Sequence, residues 1–222
     1  MTNTNRTERK RIMTDKNYTA LLFIVDRSGS MQGIRDDMVG GLTTLLEDQK
    51  GLPGFFTIDM VQFNDTVDTV HQMASPENVA ITLEPGGGTA LYDAIGIGVN
   101  GFIQRIAALP EHAKPQAIQV VVVTDGAENS STEYTAQQVK ALITDKQSDD
   151  CWDFIFLGAN QDAVVAGGEL GFREDASMTF VARGDKVHEM NQATSRYIRD
   201  RRSGTREGFS TDERGRSAGG EH

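Results

Sequence analysis

Apolar residues fall along this chain in two patterns. Residues 18–26 (YTALLFIVD) and 117–125 (AIQVVVVTD) are unbroken apolar runs that each close on an aspartate. A strand with one wet face alternates apolar with polar, so runs without alternation predict strands covered on both faces, as in a parallel sheet. Residues 152–159 (WDFIFLGA) repeat the pattern, and 177–181 give a weaker version of it. The second pattern is helical. Ile34, Met38, Leu42, Leu45 and Leu46 recur at spacings of three and four, which predicts an amphipathic helix over 33–48. Leu91, Ile95, Val99, Phe102, Ile103 and Ile106 predict another, and shorter patterns place helices near 135–144, 162–170 and 185–201. Residues 54–63 and 66–73 are β-rich and separated by Asn64-Asp65, a short turn signal, so they predict an antiparallel hairpin with one edge strand.

Six strands separated mostly by helices predict an α/β fold of the Rossmann-like, doubly wound kind. Its sheet is mostly parallel with one antiparallel edge strand, helices cover both faces, and ligands bind outside the carboxyl ends of the strands. The folded domain is expected over 18–201. Residues 1–17 form a polar N-terminal extension, and 202–222, rich in Gly, Ser, Arg and Glu with Phe209 as the one large apolar residue, are expected to be disordered or loosely docked.

Charge narrows the choice of partner. The net charge is −10, but residues 1–17 carry +3 and residues 196–222 carry +2, leaving −15 for the body between them. A body so acidic repels phosphate backbones, which argues against nucleic acid. No apolar run reaches the roughly 18 residues of a membrane span, and the polar N-terminus lacks the pattern of a secretory signal, so a cytoplasmic location is expected. Cys151 is the single cysteine, which leaves no internal disulfide and no zinc site of several thiolates; it is expected to be an inert core thiol. His71, His112, His188 and His222 are scattered and read as surface or packing residues.

Three short motifs are placed by this fold at one edge of the sheet. They are Asp26-Arg27-Ser28-Gly29-Ser30 after the first strand, Gly86-Gly87-Gly88-Thr89 opening a helix, and Thr124-Asp125-Gly126 closing another buried strand. Ser28, Ser30 and Thr89 offer neutral hydroxyls and Asp26 and Asp125 offer carboxylates, a hard-oxygen set suited to Mg²⁺ or Mn²⁺. The glycines are expected to let the backbone approach the ion. A phosphate-binding P-loop is disfavoured, since no lysine follows the glycines. A phosphatase with an aspartate nucleophile would need a second acid where Ser28 stands.

D-x-S-x-S, G-G-T-x-L and T-D-G in this order resemble the metal ion-dependent adhesion site of von Willebrand factor A domains, over about residues 18–200. The resemblance implies that Ser28, Ser30 and Thr89 coordinate the cation directly while Asp26 and Asp125 act largely through water. It also implies a protein partner whose exposed Asp or Glu completes the coordination, and no catalysis. LYDAI, TDGAENSSTEYT and FIFLGANQDA make the chain look most like small stand-alone members of bacteria and phages, and MTDKNYTALLFIVDRSGSM marks Met13 as an alternative start. Tyr92, Glu128, Asn129, Asn160 and Gln161 fall in loops at the same edge; they select the partner or, equally, only cap helices and turns. The alternative functions are a Mg²⁺-dependent phosphoester hydrolase and an adaptor subunit of an ATPase or phage assembly.

Overall fold

The computed structural model describes residues 15–148, 152–205 and 208–219, with side chains from Tyr18 onward. The strands are β1 (Asp15–Asp26), β2 (Phe55–Phe63), β3 (Val67–Ala74), β4 (Pro115–Thr124), β5 (Trp152–Ala159) and β6 (Ser177–Phe180). They form one sheet in the order β3-β2-β1-β4-β5-β6. Among the described residues only the β2–β3 pair is antiparallel, so the mostly parallel sheet with an antiparallel edge is as expected. Burial explains the apolar runs: Leu21 to Val25 and Val120 to Val123 are all fully buried, while every residue of the edge strand β3 is exposed or half-buried.

Helices α1 (Arg35–Lys50), α5 (Gly184–Ser203) and α6 (Thr211–Ser217) cover one face, and α2 (Leu91–Ala107), α3 (Ala136–Ser148) and α4 (Ala163–Glu169) the other. Side chains alternate between the two cores along each strand: Leu21, Phe23 and Val25 pack beneath α1 and α5, whereas Ala20, Leu22 and Ile24 pack beneath α2. Each fully buried Leu or Ile contributes about 1.5–3 kcal/mol relative to exposure, so both faces are anchored by burial rather than by helix propensity. Among the described residues no helix is long and apolar enough to cross a membrane.

Two expectations need correction. The first helix was expected from residue 33, but the chain first makes a 3₁₀ turn over Gly29–Ile34 and enters α1 only at Arg35. The Met31 amide bonds back to the Ser28 carbonyl (3.1 Å), a tightness that the helical spacing of apolar residues does not register. The described residues of the tail, 202–205 and 208–219, are docked rather than disordered. Residues 202 and 203 continue α5. Further on, Phe209 is 4% exposed, with its ring 4.7 Å from that of Tyr197, and α6 follows it. Ser210 and Glu213 form a reciprocal capping box, Glu213 pairs with Arg196 (3.0 Å), and the Val181 amide beyond β6 donates to the Ser217 carbonyl. One aromatic side chain and one satisfied helix start are enough to dock the segment. Cys151, His222, and residues 1–14 of the N-terminal extension, Met13 included, lie outside the described residues.

Candidate metal centre

The strand order reverses between β1 and β4, and the crevice at such a point lies at the carboxyl ends of the strands. Asp26 ends β1 there and Thr124 ends β4 beside it. The Asp26 carboxylate is fully buried: Oδ1 accepts from the Ser28 amide (2.6 Å) and Oδ2 from the Thr124 hydroxyl (2.6 Å). Thr124 belongs to the T-D-G motif, yet its role in fixing Asp26 is visible only once β1 and β4 are neighbours.

The turn after Asp26 brings Ser28 Oγ and Ser30 Oγ to 3.0 Å from each other, and both hydroxyls face Asp125 Oδ1, at 3.5 Å and 2.6 Å. Thr89 comes from the glycine tract before α2. A Cβ placed on Gly126 would stand 3.2 Å from Thr89 Oγ1 and 3.8 Å from Ser30 Oγ, so the absent side chain is what lets these hydroxyls close on the space beside Asp125. The structure thus brings Asp26, Ser28, Ser30, Thr89 and Asp125 into one cluster.

Electrostatics set the cluster apart. Burial raises the pKa of Asp26; hydrogen bonds from Thr124 and Ser28 oppose the shift, and the charge of Asp125 adds to it. No cationic group contributes. Arg27, between the two acids in sequence, turns its guanidinium to Asp68 and Thr66 at the edge hairpin. Two carboxylates therefore share a partly buried crevice with hydroxyl neighbours, and a divalent cation would relieve their repulsion. Among the described residues no group of three or more His, Cys, Asp or Glu side chains is placed to hold a metal. The donor set here, hydroxyls with only two acids, falls outside that type and fits a hard ion.

The loop residues divide into two groups. Glu128 accepts from the amides of Tyr92 (2.9 Å), Ser130 (2.8 Å) and Ser131 (2.7 Å), fastening the loop after β4 to the start of α2. Asn129 accepts from the Thr89 amide (2.9 Å) and donates its own amide to the Thr89 carbonyl (3.0 Å). Glu128 thus binds the first turn of α2 and its own loop, while Asn129 holds Thr89, just ahead of that helix. Tyr92 is half-buried, and burial, then Glu128, then Glu169 raise its phenol pKa. Asn160 sits with φ 51° and accepts from the Ala182 amide (3.0 Å), while the Gln161 carbonyl accepts from Thr179 (3.0 Å). Asn64 and Asp65, read from sequence only as a turn, also reach the site, because that turn lies against the glycine tract: Asp65 accepts from the Gly88 amide (2.9 Å).

Comparison with solved structures identifies the architecture. Proximal thread matrix protein 1 from the mussel byssus superposes with a TM-score of 0.60 at 13% identity, over 82% of this chain and 46% of that one. The chain has the von Willebrand factor A fold. A von Willebrand factor type A protein from Catenulispora acidiphila gives a TM-score of 0.52 at 17% identity, over 81% of this chain and 42% of that one. The von Willebrand factor domain of the type V pili tip protein Mfa5 from Porphyromonas gingivalis gives 0.60 at 10% identity, over 87% and 98%. The chain thus spans less than half of the first two and matches nearly all of the third. No family model matches the sequence, and no curated protein matches it.

Proposed function

We propose that this chain is a divalent-cation-dependent protein-binding module rather than an enzyme. Ser28, Ser30 and Thr89 bind Mg²⁺, or Mn²⁺, directly, Asp26 and Asp125 hold it largely through water, and an Asp or Glu of a partner protein completes the coordination. The observation that carries this reading is the convergence of two carboxylates and three hydroxyls from three loops, with no cationic group of the described residues among the influences on Asp26. Neutral ligands leave most of the ion's charge unquenched, which is why the ion would seek an anionic ligand from outside. A form of the mussel protein of this fold has a zinc-occupied metal ion-dependent adhesion site motif, at a TM-score of 0.57 and 13% identity. That precedent supports a cation at this place in the fold. Hydrolysis is less well served, because both oxygens of Asp26 are already committed to Ser28 and Thr124.

Crystals soaked in Mn²⁺ are expected to show an anomalous peak among the five side chains. Titration calorimetry is expected to show Mg²⁺ binding that Asp26→Ala abolishes while circular dichroism stays unchanged. A soaked crystal with no peak between these loops would reject the reading.

A further inference from the structure

The three glycines before Thr89 leave that residue with little local restraint, since each glycine widens the backbone choices open to the loop. Its position must come from outside the loop, and the structure shows from where. The Asn64 carbonyl accepts from the Ala90 amide (2.8 Å), and the Asn64 side chain donates to the Gly86 carbonyl (2.9 Å). Asp65 Oδ1 takes the Gly88 amide (2.9 Å), and Asn129 takes the Thr89 amide and returns its own to the Thr89 carbonyl. Ser130 ties the last two together, its hydroxyl lying 2.6 Å from Asn129 Oδ1 and 3.2 Å from Asp65 Oδ1.

This bridge also explains the glycines. A Cβ on Gly88 would stand 2.2 Å from Ser130 Oγ and 2.7 Å from Asp65 Oδ1, and Gly87 adopts φ 76° with Asp65 against it. Gly87 and Gly88 make room for the clamp, whereas a Cβ on Gly86 would meet nothing within 4 Å.

We infer that Asn129, with Asp65, is a positioning residue that sets the affinity of the metal centre by holding Thr89. The inference rests on the proposed function, since it concerns how that site is tuned. Asn129 lies four residues after Asp125, so one loop supplies a carboxylate and also fixes the hydroxyl facing it.

The test is Mn²⁺ affinity by electron paramagnetic resonance in the full chain, with amide hydrogen exchange of the metal-free protein as a second readout. Asn129→Ala is expected to weaken Mn²⁺ binding about ten- to a hundredfold and to speed exchange at Thr89. Asn129→Asp keeps the accepting oxygen, so it is expected to retain both the affinity and the protection. Asp65→Ala is expected to weaken binding and to speed exchange at Gly88. Wild-type protein that binds no Mn²⁺ would overturn the proposed function itself. Wild-type protein that binds, with Asn129→Ala and Asp65→Ala binding equally well, would overturn only the clamp. So would Asn129→Asp behaving like Asn129→Ala. Should Asn129→Ala fail to fold, the Asp65→Ala and Asn129→Asp results still decide.

Discussion

Asp59 and Asp153, on the one hand, and Asp26, on the other, are buried carboxylates of the same sheet with different company. Asp59, in the middle of β2, meets Arg105 of α2 at 2.5 Å and accepts from the Met73 amide. Asp153, at the start of β5, meets Arg201 at 3.0 Å and takes a hydrogen bond from the Tyr197 hydroxyl. Asp26 has a hydroxyl, an amide and a second acid. A buried charge is tolerated when it is paired and hydrogen-bonded. The sheet pairs Asp59 and Asp153 with arginines and leaves Asp26 without one at the end where the proposed ion would enter, so the missing arginine is as much a part of the proposed centre as the serines.

Removing compensation should therefore hurt in one place and removing charge should help in another. Arg105→Ala strands the Asp59 carboxylate. Breaking a buried pair costs about 3–5 kcal/mol, and because the arginine is 21% exposed the lower end, about 3 kcal/mol, is expected in urea unfolding. Asp26→Asn keeps an acceptor oxygen for the Ser28 amide and turns its NH2 to the Thr124 hydroxyl, which can accept instead of donate, while deleting the unpaired charge. In EDTA its stability is expected to equal or exceed that of the wild type, with the stabilisation by Mg²⁺ lost. Equal destabilisation by both variants would break the contrast.

The compensated end has its own shield. Phe209 packs on Tyr197, the donor to Asp153. Phe209→Ala is expected to cost about 3 kcal/mol, at the low end for a buried phenylalanine, and to lower the melting temperature with or without Mg²⁺. A Mg²⁺ affinity that fell in parallel would mean that the two ends of the sheet are coupled.

Much of this could be read from the chain before the fold was known. The apolar runs at 18–26 and 117–125 marked the central strands because parallel strands covered on both faces leave little room for alternation. The five oxygen-bearing residues were marked by motif and order. What was missed depends on contacts remote in sequence: Thr124 touches Asp26 across 98 positions, and Asp65 meets Gly88 across 23. Phe209 was too small a signal for composition to weigh against its Gly- and Arg-rich surroundings. Ser210 and Glu213, three apart, were a readable helix start that composition overrode.

The smallest expected effect tests whether Arg201 compensates Asp153 completely. Burial raises the pKa of Asp153, against the lowering influence of Arg201, Tyr197 and Arg173. A carboxyl whose native pKa lies above its unfolded value of 3.8 holds its proton in the folded state after the unfolded chain has lost it. Its contribution to stability therefore falls as pH rises from about 4 through the native pKa, and returns on acidification. Asp153→Asn keeps an acceptor for Tyr197 or Arg201 but removes the titration, so its unfolding free energy is expected to decline less than that of the wild type between pH 4.5 and pH 7. Parallel pH profiles for the two proteins would mean that Arg201 cancels the burial penalty in full, and the difference between Asp153 and Asp26 would then be larger than the direction of their shifts implies.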